Sequence, residues 1–141
     1  MRILIALLAL STSAAAWEFT PGAVCLLTHT EPGVAVALTH DPAGPLYTIT
    51  ITRSQPWPDG PVFSMQFDGP RPIAISTTAQ EFSADRRAVR VRDTGFGNVL
   101  DGLQFNTTAR ALLGGASEEM SLAGAAEPVE KFRACAVLGS V

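Results

Sequence analysis

The chain is poor in the residues on which catalysis, metal binding and nucleic-acid recognition most often depend. Its 141 residues include two histidines, two cysteines and a single lysine, and only 16% are charged. With a formal net charge of −3, it lacks the basic balance typical of nucleic-acid-binding domains. It contains no Gly-x-Ser-x-Gly sequence and no lysine after a glycine-rich loop, the signatures of serine hydrolases and of phosphate-binding loops. We therefore predict no nucleic-acid partner and no cofactor.

Long apolar runs are absent except at the N-terminus. There, a positive charge precedes the apolar residues 3–10, and residues 14–16 (Ala-Ala-Ala) form a small-residue cleavage site. This pattern predicts a secretory signal peptide, residues 1–16, cleaved before Trp17. The run is too short for a membrane helix, which needs about 20 apolar residues. Since Cys25 lies well beyond the cleavage site, we predict no lipid anchor and a periplasmic or secreted location.

The two cysteines, Cys25 and Cys135, stand near the ends of the predicted mature domain, residues 17–141. A single pair in an exported chain predicts a disulfide, because oxidising compartments favour the bond. The alternative is a pair of free buried thiols. Two cysteines alone make a poor metal site, so we predict no metal centre.

Short stretches of alternating apolar and polar residues fill the middle of the chain. Such alternation predicts half-buried antiparallel strands, and Pro/Gly turns separate the stretches. The apolar positions are Val34, Val36 and Leu38; Tyr47, Ile49 and Ile51; Phe63, Met65 and Phe67; Ile73 and Ile75; Val89 and Val91; and Met120 and Leu122. We therefore predict a mainly β fold, an antiparallel β-sandwich or an open barrel.

Two segments depart from this alternation and predict helices. One is short, near residues 98–104, with Asn98 as its expected N-cap. The other, near residues 126–137, carries Val129 and Phe132 on one face, which we expect to pack on the sheet and to bring its cysteine to the first strand.

The histidines, His29 and His40, lie on either side of a predicted Pro-Gly turn, with carboxylates next to them. A hairpin turning near Pro32 would hold the imidazoles about 16 Å apart along the strands. One metal ion could not bind both, so we predict two exposed histidines near strand ends. A small hydrolase using His29 or His40 with an acid remains an alternative.

Two features are candidates for partner binding. Arg86, Arg90 and Arg92 share one face of a predicted strand, where guanidinium groups could bind carboxylates or phosphates; the alternative is a solvated face neutralised by nearby acids. Trp57 stands between two prolines in a loop, and tryptophan is frequent at binding hot spots. The alternative for Trp57 is a ring folded over the edge of the core.

The layout also resembles a family of small envelope proteins. A signal peptide, an early cysteine, alternating strands and a strand at residues 121–125 leading into a helix with the sequence Phe-Arg-Ala-Cys are similar to the bacterial invasion-associated locus B family. The resemblance implies a periplasmic β-sandwich with a terminal helix and no known catalytic residues.

These observations favour a non-catalytic binding or accessory protein of the cell envelope. Its partner would be an unknown envelope protein or an anionic ligand. A protease or lysozyme inhibitor-like domain is a second hypothesis, and a protruding Trp57 loop would favour it. The small hydrolase is the third.

Overall fold

The computed structural model describes residues 16–138 as two antiparallel sheets and two helices. The predicted signal peptide, residues 1–16, lies outside the described residues apart from Ala16. The elements are β1 (Glu18–Thr20), β2 (Cys25–Glu31), β3 (Val34–Asp41), β4 (Leu46–Arg53), β5 (Phe63–Asp68), β6 (Ile73–Thr77), β7 (Glu81–Phe82), β8 (Ala88–Asp93), α1 (Gly97–Phe105), β9 (Thr108–Leu113), β10 (Ala116–Ser121) and α2 (Ala126–Leu138).

The strands form a six-stranded sheet in the order β1-β2-β3-β4-β8-β7 and a four-stranded sheet in the order β10-β9-β5-β6. Each inner face carries the apolar residues of the alternating pattern, and together they form the core. The prediction of a mainly β sandwich is confirmed, with two separate sheets rather than a barrel among the described residues. Strands β1, β7 and β9 were not predicted, because β1 and β7 are too short to show a period and β9 carries alanines at two inward positions.

Helix α1 confirms the predicted short helix but not its cap. The N-cap residue is Phe96, whose side chain makes no capping hydrogen bond, so the assignment of Asn98 was wrong. Gly102 lies on the buried face, where a methyl group in its place would meet the ring of Phe67 at 2.4 Å. The glycine therefore lets α1 approach β5 closely.

Helix α2 packs against β1, β2 and α1, as its apolar face predicted. Two residues of its inner face, Val129 and Phe132, are fully buried. Its Cys135 forms a disulfide with Cys25 at the start of β2, which confirms the predicted pair and closes a separation of 110 residues. Within residues 16–138, neither helix has the length and apolar content needed to cross a membrane.

Side-chain hydrogen bonds and an ion pair join β10 to one end of the six-stranded sheet, where Glu31, Val34 and Arg53 lie side by side. The Trp17 indole Nε1 donates to the carbonyl of Ser121 at 2.9 Å, and the Glu31 carboxylate accepts from the backbone N–H of Ser121 at 2.7 Å. Arg53 Nε lies 3.0 Å from Glu118 Oε1. Since Ser121 and Glu118 belong to β10, these contacts tie that edge to the six-stranded sheet.

Candidate ligand-binding cavity

The sandwich is open between β6 and β8. A cavity of about 690 Å³ lies there, within the size range of small-molecule sites. Its floor and walls are apolar side chains from both sheets and from the start of α1: Ile49, Met65, Ile75, Val91, Phe96 and Val99.

Strand register explains why these side chains converge. Ile75 of β6 pairs with Met65 of β5, and Ile49 of β4 pairs with Val91 of β8. All four point inward, because alternate residues of a strand face the same side of its sheet. Ile75 and Val91 are only half-buried, since nothing in residues 16–138 fills the space between them.

The rim of the cavity is polar. Arg92 and Asp93 contribute from the end of β8, Asn98 from the first turn of α1, and Thr77 from the end of β6. Asp93 is engaged locally, where its carboxylate accepts from the backbone N–H of Thr94 at 2.6 Å. An apolar interior with a few polar groups at its mouth is the usual design of a ligand pocket.

The three arginines proposed as one face are divided by the structure. Arg90 and Arg92 lie on the outer face of β8, and their guanidinium groups donate to the two carboxylate oxygens of Glu81 at 2.9 and 2.5 Å. These hydrogen bonds, from Arg90 first and then Arg92, lower the pKa of Glu81 below its usual range. Two guanidinium groups therefore share one ionised carboxylate, and Arg92 also reaches the cavity rim.

Arg86 does not belong to that strand, which corrects the shared-face prediction. It precedes β8 in a turn, with a positive φ of 59°, so the alternation assumed for residues 86–93 does not extend to it. Its guanidinium donates to Asp59 at 2.8 Å and lies 4.1 Å from the centre of the Phe82 ring.

Trp57 belongs to the core and is only 1% exposed. Its indole Nε1 donates to the carbonyl of Ile51 at 3.1 Å, and its ring meets Phe63 edge-on. The hypothesis of an exposed anchor is therefore wrong, and the alternative of a ring packed on the core holds. The flanking prolines set the loop's path but do not turn the ring outward.

Both histidines are buried, at 2% and 3% exposure, so the prediction of exposed residues was wrong. His29 stacks on Trp17 and hydrogen-bonds Glu31 at 2.8 Å, whereas His40 stacks on Tyr47. Because His29 pairs with Val36, the two lie four positions apart, or about 13 Å at 3.3 Å per residue. The separation is one position shorter than the expected value of about 16 Å, because the strands pair one residue away from the assumed register.

Neither histidine lines the cavity. Burial lowers the pKa of His40, with the neighbouring Asp41 carboxylate opposing the shift. In residues 16–138, no three histidine, cysteine, aspartate or glutamate side chains come close enough together to hold a metal ion.

Sequence reasoning missed the cavity itself. In the sequence, its lining residues cannot be told from ordinary core residues. A period of two shows which side chains face inward, but not whether another element covers them. The one available signal was the run Ile73–Thr77, an apolar alternation without a charge.

Comparison with protein-family models, with curated proteins and with solved structures found no match to this chain. The cavity and its rim are therefore interpreted from their own geometry.

Proposed function

We propose that this chain is a non-catalytic binding protein of the cell envelope, exported to the periplasm or the outside, which holds a ligand in the cavity between its sheets. The observation that carries the proposal is the apolar cavity of about 690 Å³ on the open side of the sandwich. Leaving Ile75 and Val91 half-exposed forgoes hydrophobic stabilisation, at about 25 cal/mol per Å² of apolar surface. A ligand that covers them recovers that free energy.

Export is supported by two independent features. The N-terminal residues have the order of charge, apolar run and small residues found in signal peptides. A disulfide such as Cys25–Cys135 is typical of proteins in oxidising compartments. Resemblance to the invasion-associated locus B family points to the same location.

Binding is favoured over the two alternative functions by the positions of the residues on which those depended. A small hydrolase needs His29 or His40 at a substrate site, but both side chains pack in the interior beside aromatic rings. An inhibitor with Trp57 as its anchor needs an exposed ring, and this ring is buried.

Titration with N-phenylnaphthylamine, a dye that fluoresces in apolar surroundings, tests the proposal. We expect one saturable site, with binding at least tenfold weaker in Ile75→Trp because the larger side chain fills the cavity. Leu112→Trp is the matched control, since Leu112 lies on the outer face of β9, away from the cavity. Equal binding by the parent chain and Ile75→Trp would show that the cavity is not the site.

A further inference from the structure

Strand β6 is an edge strand with none of the usual protection against pairing. Its five residues, Ile73–Thr77, all pair with β5, and no strand lies on their other side among the described residues. The segment holds no charged residue and no proline, and the nearest proline, Pro72, precedes it. Exposed edges usually carry charges, prolines or bulges, because their free N–H and C=O groups pair readily with other chains.

The other three edges are protected. Strand β1 has three residues and is covered by α2. Strand β7 has two residues, and its Glu81 is bound by the arginines of β8. Strand β10 carries Glu118 and Glu119 and is tied to the six-stranded sheet through Trp17 and Glu31. Helix α1 also contacts β6. Among the four edges of the described sheets, β6 is nevertheless the one that is longer than three residues and carries no charge.

The space beside β6 is the cavity. An added strand would lie 4.7–4.9 Å from β6, and its alternate side chains would point between the two sheets. There they would contact Ile75 and Met65 on one side and Val91 on the other.

We propose that β6 is a strand-addition site, which binds an extended peptide of another protein with alternating apolar side chains inserted into the cavity. This inference rests on the proposed binding function and names the chemistry of its ligand. Backbone hydrogen bonds to β6 would provide the attachment, and the cavity would select apolar side chains at every second position.

A foreign peptide is the occupant that we assign, and the other candidates are outcomes of the test. Helix α2, the last element of the described residues, packs on β1, β2 and α1. In an antiparallel pair of copies joined through β6, Ile73 and Ile75 of the second copy would face the same side of the sheet as the inward residues of β6. Sedimentation therefore distinguishes a second copy from a foreign strand.

The test uses a fluorescently labelled peptide in which isoleucine and threonine alternate, with a lysine at each end for solubility. We expect saturable binding to the full chain, measured by fluorescence anisotropy. A control peptide of the same composition, with its isoleucines in one block, should bind at least tenfold more weakly. Ile75→Trp should also weaken binding at least tenfold, whereas Leu112→Trp should not.

Two N-methylated peptides test for strand pairing itself. In an antiparallel pair, the N–H groups of alternate residues point to opposite edges of a strand. Methylating either the isoleucine or the threonine nitrogens therefore blocks one edge only. We expect one of the two methylated peptides to bind at least tenfold more weakly than the unmethylated peptide. The other should bind within threefold of it. Amide hydrogen exchange in Ile73–Thr77 should slow at alternate residues when the peptide binds.

The outcomes separate this inference from the proposed function. Dye binding without peptide binding, or equal effects of both methylation patterns, would overturn strand addition and leave the cavity as a small-molecule site. Failure of both probes would overturn both proposals. Peptide binding only by a chain that begins at Trp17 would make the N-terminal segment the occupant. Dimers in sedimentation that the peptide does not dissociate would contradict the assignment of a foreign strand.

Discussion

Replacement of Trp57 by alanine should cost the protein a large part of its stability. The indole is buried, meets Phe63 at a centroid distance of 6.4 Å and lies beneath the guanidinium of Arg53 at 5.1 Å. Truncating a buried aromatic side chain to alanine costs about 3–5 kcal/mol, and losing its hydrogen bond to Ile51 adds about 1 kcal/mol. We expect a loss of about 4–6 kcal/mol in the free energy of unfolding.

That loss approaches the whole stability of many small domains, about 5–15 kcal/mol, so a milder variant is needed beside it. Trp57→Phe keeps an aromatic ring but removes the indole donor, and should cost about 1–2 kcal/mol. Val62→Ala changes an exposed apolar residue in the same loop, and should alter stability by less than about 0.5 kcal/mol.

Urea unfolding under non-reducing conditions, followed by circular dichroism, measures all three variants by linear extrapolation. The expected order of loss is Trp57→Ala, then Trp57→Phe, then Val62→Ala. A cost below about 1 kcal/mol for Trp57→Ala would refute the placement of the ring in the core, and would reopen its role as an exposed anchor.

Three further predictions concern the disulfide, a buried histidine and a helix glycine. Cys135→Ser should lower the free energy of unfolding by about 4–5 kcal/mol in non-reducing urea, from the entropy of the opened loop; thiol titration of the unfolded parent finding two free thiols would contradict the bond. Because the pKa of His40 is lowered in the fold, the unfolded chain takes up that proton first, so stability should fall as pH drops below about 6.5. Between pH 7.5 and 5.5, His40→Phe should lose less unfolding free energy than the parent chain does. An equal loss would show that other groups cause the pH dependence. Gly102→Ala should destabilise by about 1–3 kcal/mol, although alanine normally favours helices, because its methyl group would overlap Phe67. Gly97→Ala, which meets open space, should not destabilise, and thermal melts of the pair showing equal stability would rule out the overlap.

Much of the fold could be predicted because its signals are local. The inward positions of β3, β4 and β5 follow from a period of two, which the chain keeps wherever one face of a strand is buried. The amphipathic face of α2 is equally local. The Cys25–Cys135 bond needed only that the chain has one pair of cysteines. By contrast, β9 carries alanines at two inward positions, so its alternation is too weak to stand out.

The errors have different physical causes. His29 and His40 read as polar residues near strand ends, but both lie on the inward face, where aromatic neighbours cover them. Trp57 read as a loop residue, but the loop folds over the end of the core. Arg86 read as part of a strand, but it lies in a turn before β8. The inward positions of His29 and His40 continue the period of two of their own strands. The turn at Arg86 is closed locally, by a backbone hydrogen bond to Ser83. The position of Trp57 depends on a distant residue, because its backbone N–H donates to the carbonyl of Arg86.

The amino-acid sequence by itself determined a mainly β domain with a C-terminal helix and one disulfide, because strand period, helix amphipathicity and a lone cysteine pair are written in neighbouring residues or in simple counts. Only the tertiary structure decided that Trp57 is buried, that β6 is an unprotected edge and that a cavity opens beside it. Those features depend on how many strands each sheet holds and which of them face one another. Strand order is set by contacts between distant segments, so it becomes visible only when the sheets are assembled.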